Sequence, residues 1–529
     1  MRPNLIFTGG TIITMDHSYP IATAMAVAHD RILAVGDDPM ILNLAGPDTV
    51  IIPLHGRCIM PGFNDSHIHL WKEGMLLTQV NARFNQAPTI ADIMAAFAKR
   101  AEQTPKGTWI EGRGYDDTRL PERRHPTRYD LDNVAPEHPV ILGRTCGHIV
   151  VANSRALALA NITRDTPDPI GGEIDRDEHG EPTGVLRETA MALVRNVQSP
   201  PSEEELAQAL IGAGRKCNAL GITAISEPGV DPRTVEVYRR LDEQGRLPVR
   251  SDVMAMTILP NGEHIKPPSP WEGTIAKCNT IKLFGDGGLS SGTAALSIPY
   301  RNRHDCGLPR FPAELLAKEV RYAYDAGLSV AVHAIGDRVI GELLDAFEAL
   351  PLSDEARPTQ RLRIEHLGLP TAEHLMRAKD LGVMVATQPS FLYDLGDTIL
   401  SHLPDSLVPQ CYPFRAMIEA GLIVGYSSDG PVISDINPFI ALQSAALRTT
   451  RNGRNMAPEQ YVELSQSLWC FTVGSALVSG QQHKIGHLAP NYRADFIVLS
   501  DNPLDVPIER LLEIQVHQTY VNGSLVYES

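Results

Sequence analysis

The chain has 529 residues, 43% of them hydrophobic and 21% charged, the make-up of an ordinary globular protein with a substantial core. That length exceeds an average domain, although a large barrel with insertions could absorb most of it. The formal net charge of −16 speaks against a nucleic-acid polyanion as the main partner, because no basic patch offsets it.

Residues 4–59 read as short strands joined by tight turns, among them Leu5-Ile6-Phe7, Thr11-Ile12-Ile13-Thr14 and Ile32-Leu33-Ala34-Val35, with Gly9-Gly10 and Gly36-Asp37-Asp38 between them. The same Gly9-Gly10 interrupts the N-terminal run too early for a signal peptide, and no apolar stretch reaches bilayer-spanning length. The seven cysteines (Cys58, Cys146, Cys217, Cys278, Cys306, Cys411 and Cys470) are odd in number and lack Cys-x-x-Cys spacing, which suits reduced thiols. A cytoplasmic protein without membrane partners is the expectation.

From residue 60 onward, short β-type runs alternate with helical patterns, the grammar of a parallel sheet covered by helices. Eight candidate strands stand out: the run into His67, then 221–226, 249–254, 280–284, 329–333, 362–366, 383–387 and 422–427. Eight units predict an α/β protein built on a closed (β/α)8 TIM-type barrel, with a doubly wound open sheet as the alternative. Residues from about 71 to 215 do not fit the repeat and read as a subdomain inserted after the first barrel strand. The tail returns to short strands, and Asn522-Gly523 is a hairpin signal. The expected domains are therefore 1–59 and 480–529, the two parts of a bipartite β-sandwich, with the barrel and its insertion over 60–479.

Chemistry concentrates at the ends of those strands. His67 and His69 are one residue apart on an extended run, so both imidazoles face one way and make half of a transition-metal site. Lys282 interrupts the fourth candidate strand, His333 and His366 end the fifth and sixth, and Asp429 follows the eighth. One such residue is ordinarily a satisfied core group; this many at the reactive face of a barrel point to bound divalent metal.

With these residues in view, the chain resembles the amidohydrolase superfamily, and more closely its YtcJ-like branch of metal-dependent hydrolases. The resemblance rests on Pro61-Gly62-Phe63-x-Asp65-x-His67-x-His69, Ile281-Lys282-Leu283-Phe284-x-Asp286-Gly287, Val332-His333-Ala334-x-Gly336-Asp337, Arg363-Ile364-Glu365-His366 and Ser427-Ser428-Asp429-x-Pro431. Gly147-His148, Asn153-Ser154-x-Ala156-Leu157, Thr293-Ala294-x-Leu296 and Pro299-Tyr300 point to the branch. It implies that His67, His69 and Asp429 hold one Zn²⁺ and that His333 and His366 hold a second. Lys282, carbamylated by carbon dioxide, would bridge them. Mn²⁺ or another divalent ion, and a single-metal site with Lys282 as an ammonium beside Asp286, stay open.

The implied reaction is hydrolysis of a carbon–nitrogen bond in an amide-like small molecule, whether N-acyl, N-formyl or cyclic, by water activated on the metal. Asp429 would act as general base and then acid, and His148 as a donor to substrate or oxyanion. Substrate contacts are expected from His148, Asp286, Arg83 and Tyr393, with Arg113, Tyr115 and Arg144 as further candidates. A homodimer is expected by analogy. Two rivals remain: a mononuclear deaminase of a heterocycle, for which only Asp337 offers the extra acid, and a non-catalytic barrel. The run Gly287–Thr293 has no Lys before its Thr and so fails as a phosphate loop. No Gly-x-Ser-x-Gly elbow supports a serine hydrolase.

Overall fold

The computed structural model describes every residue except 1, 145–147, 170, 260–261 and 353–360. Cys146 and Gly147, quoted above, lie outside the described residues. The chain forms two compact units, one of Met1–Gly74 with Leu206–Ser529 and the other of Met75–Glu205.

In the first unit, eight parallel strands lie side by side in chain order. They are Phe63–Asp65, Ile222–Val230, Arg250–Ala255, Ala276–Phe284, Ser329–Ala334, Leu362–His366, Met384–Thr387 and Ile423–Tyr426. A short antiparallel strand, Trp271–Glu272, attaches to the fourth. A doubly wound sheet would reverse its strand order partway; this one does not, so that alternative falls. The first and eighth strands approach at their ends, where the Ser66 amide donates to the Tyr426 carbonyl at 3.2 Å and the Asp429 amide to the His67 carbonyl at 2.7 Å. The fold is a nearly closed TIM-type barrel. Its strands are buried along nearly their whole length, and the third, fourth and sixth carry charged side chains into that interior.

The helices between strands bury one stripe each. Asp337–Glu348 turns Val339, Ile340, Leu343, Leu344 and Phe347 inward, the spacing of a 3.6-residue turn. Pro232–Glu243 starts where the Asp231 carboxylate accepts from the Arg233 and Thr234 amides, with Pro232 in the first turn.

The chain's two ends share a sheet. Phe496–Leu499 pairs antiparallel with Cys58–Pro61 in a six-stranded sheet, and a four-stranded sheet of Leu5–Thr8, Ala24–Ala28, Arg31–Gly36 and Val50–Pro53 accompanies it. Phe7, Phe496 and Tyr520 form one aromatic cluster, with Phe496 stacked on Tyr520 at 4.5 Å between ring centroids.

The second unit holds its own six-stranded mixed sheet, flanked by the helix Ile90–Gln103. That helix opens with a Thr89–Asp92 capping box and buries Ile93 and Phe97 in a core with Tyr115, Val140 and Leu142. Within this sheet Gly172–Arg176 pairs antiparallel with Pro182–Glu188.

Candidate metal centre

The first strand ends at Asp65, so His67 and His69 sit just beyond it rather than within it. The run bends at Ser66 and His67, and hydrogen bonds fix it there: the Ile68 amide donates to the Ser226 carbonyl at 3.0 Å and the His69 amide to the Gly430 carbonyl at 2.8 Å. The Asp65 carboxylate accepts from the His67 and Ser428 amides, tying the ends of the first and eighth strands together.

His67, His366 and Asp429 are buried and bring one candidate ligand atom each within 4.8 Å of the others. Asp429 Oδ1 lies 3.4 Å from His67 Nε2 and 3.5 Å from His69 Nε2. The His366 ring centroid is 4.8 Å from that of His67 and 4.4 Å from that of His333. Two backbone positions aim these groups: His366 and Asp429 have φ of 75° and 58°, left-handed values that carry strain in non-glycine residues.

Three of the four rings have one nitrogen hydrogen-bonded. His366 Nδ1 meets Gln388 Oε1 at 2.7 Å, His333 Nε2 meets the Gly287 carbonyl at 3.0 Å, and His67 Nδ1 meets Glu365 Oε2. A neutral imidazole that donates through one nitrogen offers its lone pair on the other. His67 and His366 thereby present Nε2, and His333 presents Nδ1.

Burial sets the charges. It drives His366 well below its ordinary pKa, helped by the neighbouring His333 and His67, and drives His69 down to about 3. For His67 burial also lowers the pKa, but Asp429 and Glu365 outweigh it and the net shift is upward. Asp429 is held below the usual carboxylate range because His67 and His69 overcome its desolvation. Lys282 is brought down to about 8 by burial, against the pull of Glu365 and Asp429. Its Nζ and Asp429 Oδ1 are buried without a hydrogen-bond partner. Buried polar atoms of this kind cost free energy unless something pairs with them. Neutral His69 and His366, an ionised Asp429 and the orphaned Lys282 amine are a donor set that fits divalent ions, with His67 and His333 beside them.

The other expected site residues are placed differently. Asp286 spends its carboxylate on the Ala295, Ile335 and Gly336 amides at 2.9, 3.1 and 2.8 Å. It ties two loops together, with His333 Nε2 3.3 Å away. It is not hydrogen-bonded to Lys282, whose Nζ instead lies 4.6 Å from the Phe284 ring centroid. Tyr393 is partly exposed, with the Arg451 guanidinium over its ring. Arg83 and His148 belong to the second unit, where both are exposed and His148 Nδ1 meets Glu188 at 3.0 Å. Tyr115 is fully buried with its hydroxyl on His125, and Arg144 pairs with Asp116 and Asp117. Sequence reasoning missed Gln388, Arg363 and Glu365 as partners of the site. The last two stood in a quoted motif, and a charged pair inside an apolar strand was the available signal.

Comparison with known proteins agrees with this geometry. The amidohydrolase family model matches residues 50–527. The chain is 30% identical to the putative amidohydrolase YtcJ of Bacillus subtilis, over 99% of each protein. It is 28% identical to the N-substituted formamide deformylase of Arthrobacter pascens, over 99% of this chain and 98% of that one. A crystal structure of an uncharacterized metal-dependent hydrolase from Pyrococcus horikoshii superimposes with a TM-score of 0.78 at 27% identity, covering 96% of this chain and 99% of that one. With a barrel whose strand ends gather histidines, an aspartate and a lysine, and a match over nearly its whole length, the chain belongs to the amidohydrolase family and is a metal-dependent hydrolase acting on carbon–nitrogen bonds.

Proposed function

We propose that the chain is a zinc-dependent hydrolase of an amide-like bond in a small molecule, N-formyl, N-acyl or cyclic. In this reading His67, His69 and Asp429 would hold one ion and His333 and His366 a second, with a carbamylated Lys282 as a further ligand. The observation that carries it is the orphaned Lys282 amine, buried beside the cluster with its pKa brought toward neutrality. Carbamylation needs a neutral amine, and that shift supplies one. The relative that acts on N-substituted formamides supports the substrate class.

Divalent ions bound here would supply Lewis-acid polarisation of a carbonyl and acidify water near neutral pH. Asp429, whose Oδ1 has no hydrogen-bond partner, receives the proton of the attacking water and returns it to the leaving nitrogen. The Gln388 and Gly287 oxygens keep the His366 and His333 rings in the tautomers that face the cluster.

The test is metal analysis with a screen of N-formyl amines, N-acyl amino acids, lactams and hydantoins. Two ions per chain and turnover of one of these classes are expected, both lost in a His67→Ala/His69→Ala double variant. Turnover that survives in that variant would end the reading. A one-ion deaminase is the second reading, favoured by the three-donor cluster of His67, His366 and Asp429. One ion per chain with ammonia released from a heterocycle would establish it instead.

A further inference from the structure

Arg363 and Glu365 are a buried ion pair inside the sixth strand, with side chains 3% and 0% exposed. They lie two residues apart on one strand, so they share a face, and the guanidinium grips the carboxylate through both Nε and Nη2. Charges in a barrel interior are unusual, because branched apolar side chains normally fill it and burying two ions costs several kcal/mol. Beyond their own strand, the two side chains hydrogen-bond to the first-strand run. Arg363 Nη2 donates to the Ser66 carbonyl, and Glu365 Oε2 accepts from His67 Nδ1.

We propose that Arg363 and Glu365 form a brace for the metal centre, in which Glu365 is a positioning residue that fixes the His67 tautomer and ring plane. This rests on the metal reading above. Arg363 grips the peptide that leads into His67, and Glu365 grips the ring itself. One guanidinium therefore fixes both the backbone and the side chain of a ligand whose partner lies 298 residues away in sequence. With Nδ1–H committed to the carboxylate, the Nε2 lone pair points to Asp429. The carboxylate behind the ring raises its basicity as a ligand and adds a negative charge close to the cations. An ion pair that only filled space would have no reason to end on a ligand ring and on the carbonyl preceding it.

The experiment measures zinc affinity by chelator competition in the full chain. Glu365→Gln keeps the shape and loses the charge. A double variant, Arg363→Met with Glu365→Leu, removes both ions and leaves neither orphaned. Both variants are expected to bind zinc about 10- to 100-fold more weakly, while the metal-free double variant melts close to wild type. Wild-type affinity in both variants overturns the brace and spares the metal reading. A wild-type chain that takes up no zinc overturns both. Should the variants fail to fold, zinc-loaded wild-type protein labelled with ¹⁵N-histidine decides the matter. The His67 signal, identified by its loss in His67→Asn, is expected to show a hydrogen-bonded proton on Nδ1; a proton on Nε2 instead overturns the brace.

Discussion

Lys282 shows how burial alone prepares a side chain for unusual chemistry. The amine is almost wholly enclosed and unpaired, and desolvation outweighs the carboxylates that would keep it charged. With a pKa brought to about 8, a useful fraction is neutral near physiological pH. On the proposed two-ion reading, Lys282→Met is expected to hold one ion instead of two, and to lose activity on the order of a hundredfold. Added short carboxylic acids should restore part of that loss by occupying the vacated position. A Lys282→Met protein with two ions and full turnover would dismiss the bridging role. At this scale the sequence was informative about residue type: Lys282, His333, His366 and Asp429 each interrupt or end an apolar run. It marked Glu365 only as a charge beside Arg363, because a carboxylate in a strand declares its partner only when another strand arrives.

The elements supply the aim. The sixth strand ends with His366 and Leu367 at φ of 75° and 47°, and the residues after the eighth strand include Asp429 at 58°. Such left-handed positions cost roughly 1–2 kcal/mol each and persist where the surroundings over-determine them. Here Gln388 and the His67 carbonyl do so, by gripping the His366 ring and the Asp429 amide. The second strand contributes a different device. Glu227 accepts from the Trp71 amide in the first turn of the helix Leu70–Thr78 and from the Tyr238 hydroxyl, and burial raises its pKa to about 7. A carboxyl whose folded pKa lies above its unfolded one stabilises the fold fully below the unfolded value and loses that contribution as pH rises through the folded one. Melting temperature should accordingly fall between about pH 4.5 and pH 7 by more in wild type than in Glu227→Gln. Parallel slopes for the two proteins would show that Glu227 does not titrate in this window.

At the scale of the molecule, the barrel unit is closed by both chain termini. Phe496, from the C-terminal tail, stands opposite Pro61 in the sheet register and packs on Phe7 and Tyr520. The strand it belongs to flanks the one that leads directly into the first barrel strand. Phe496→Ala should lower stability by about 3–5 kcal/mol, the usual range for emptying a buried aromatic site. Denaturant unfolding measures this, and a loss under about 1 kcal/mol would mean that the tail is not integral to the fold.

What the amino-acid order determined by itself was the barrel and the polar residues set at its strand ends. Parallel strands covered on both faces are largely apolar, so 329–333 and 383–387 announce themselves, and the polar residues that break such runs are visible against them. Tertiary structure alone decided which nitrogen of each histidine faces the cluster, that Asp286 serves loop amides, and that Arg363 and Glu365 reach His67. These depend on contacts between strands far apart in sequence, whose register and depth no local pattern encodes.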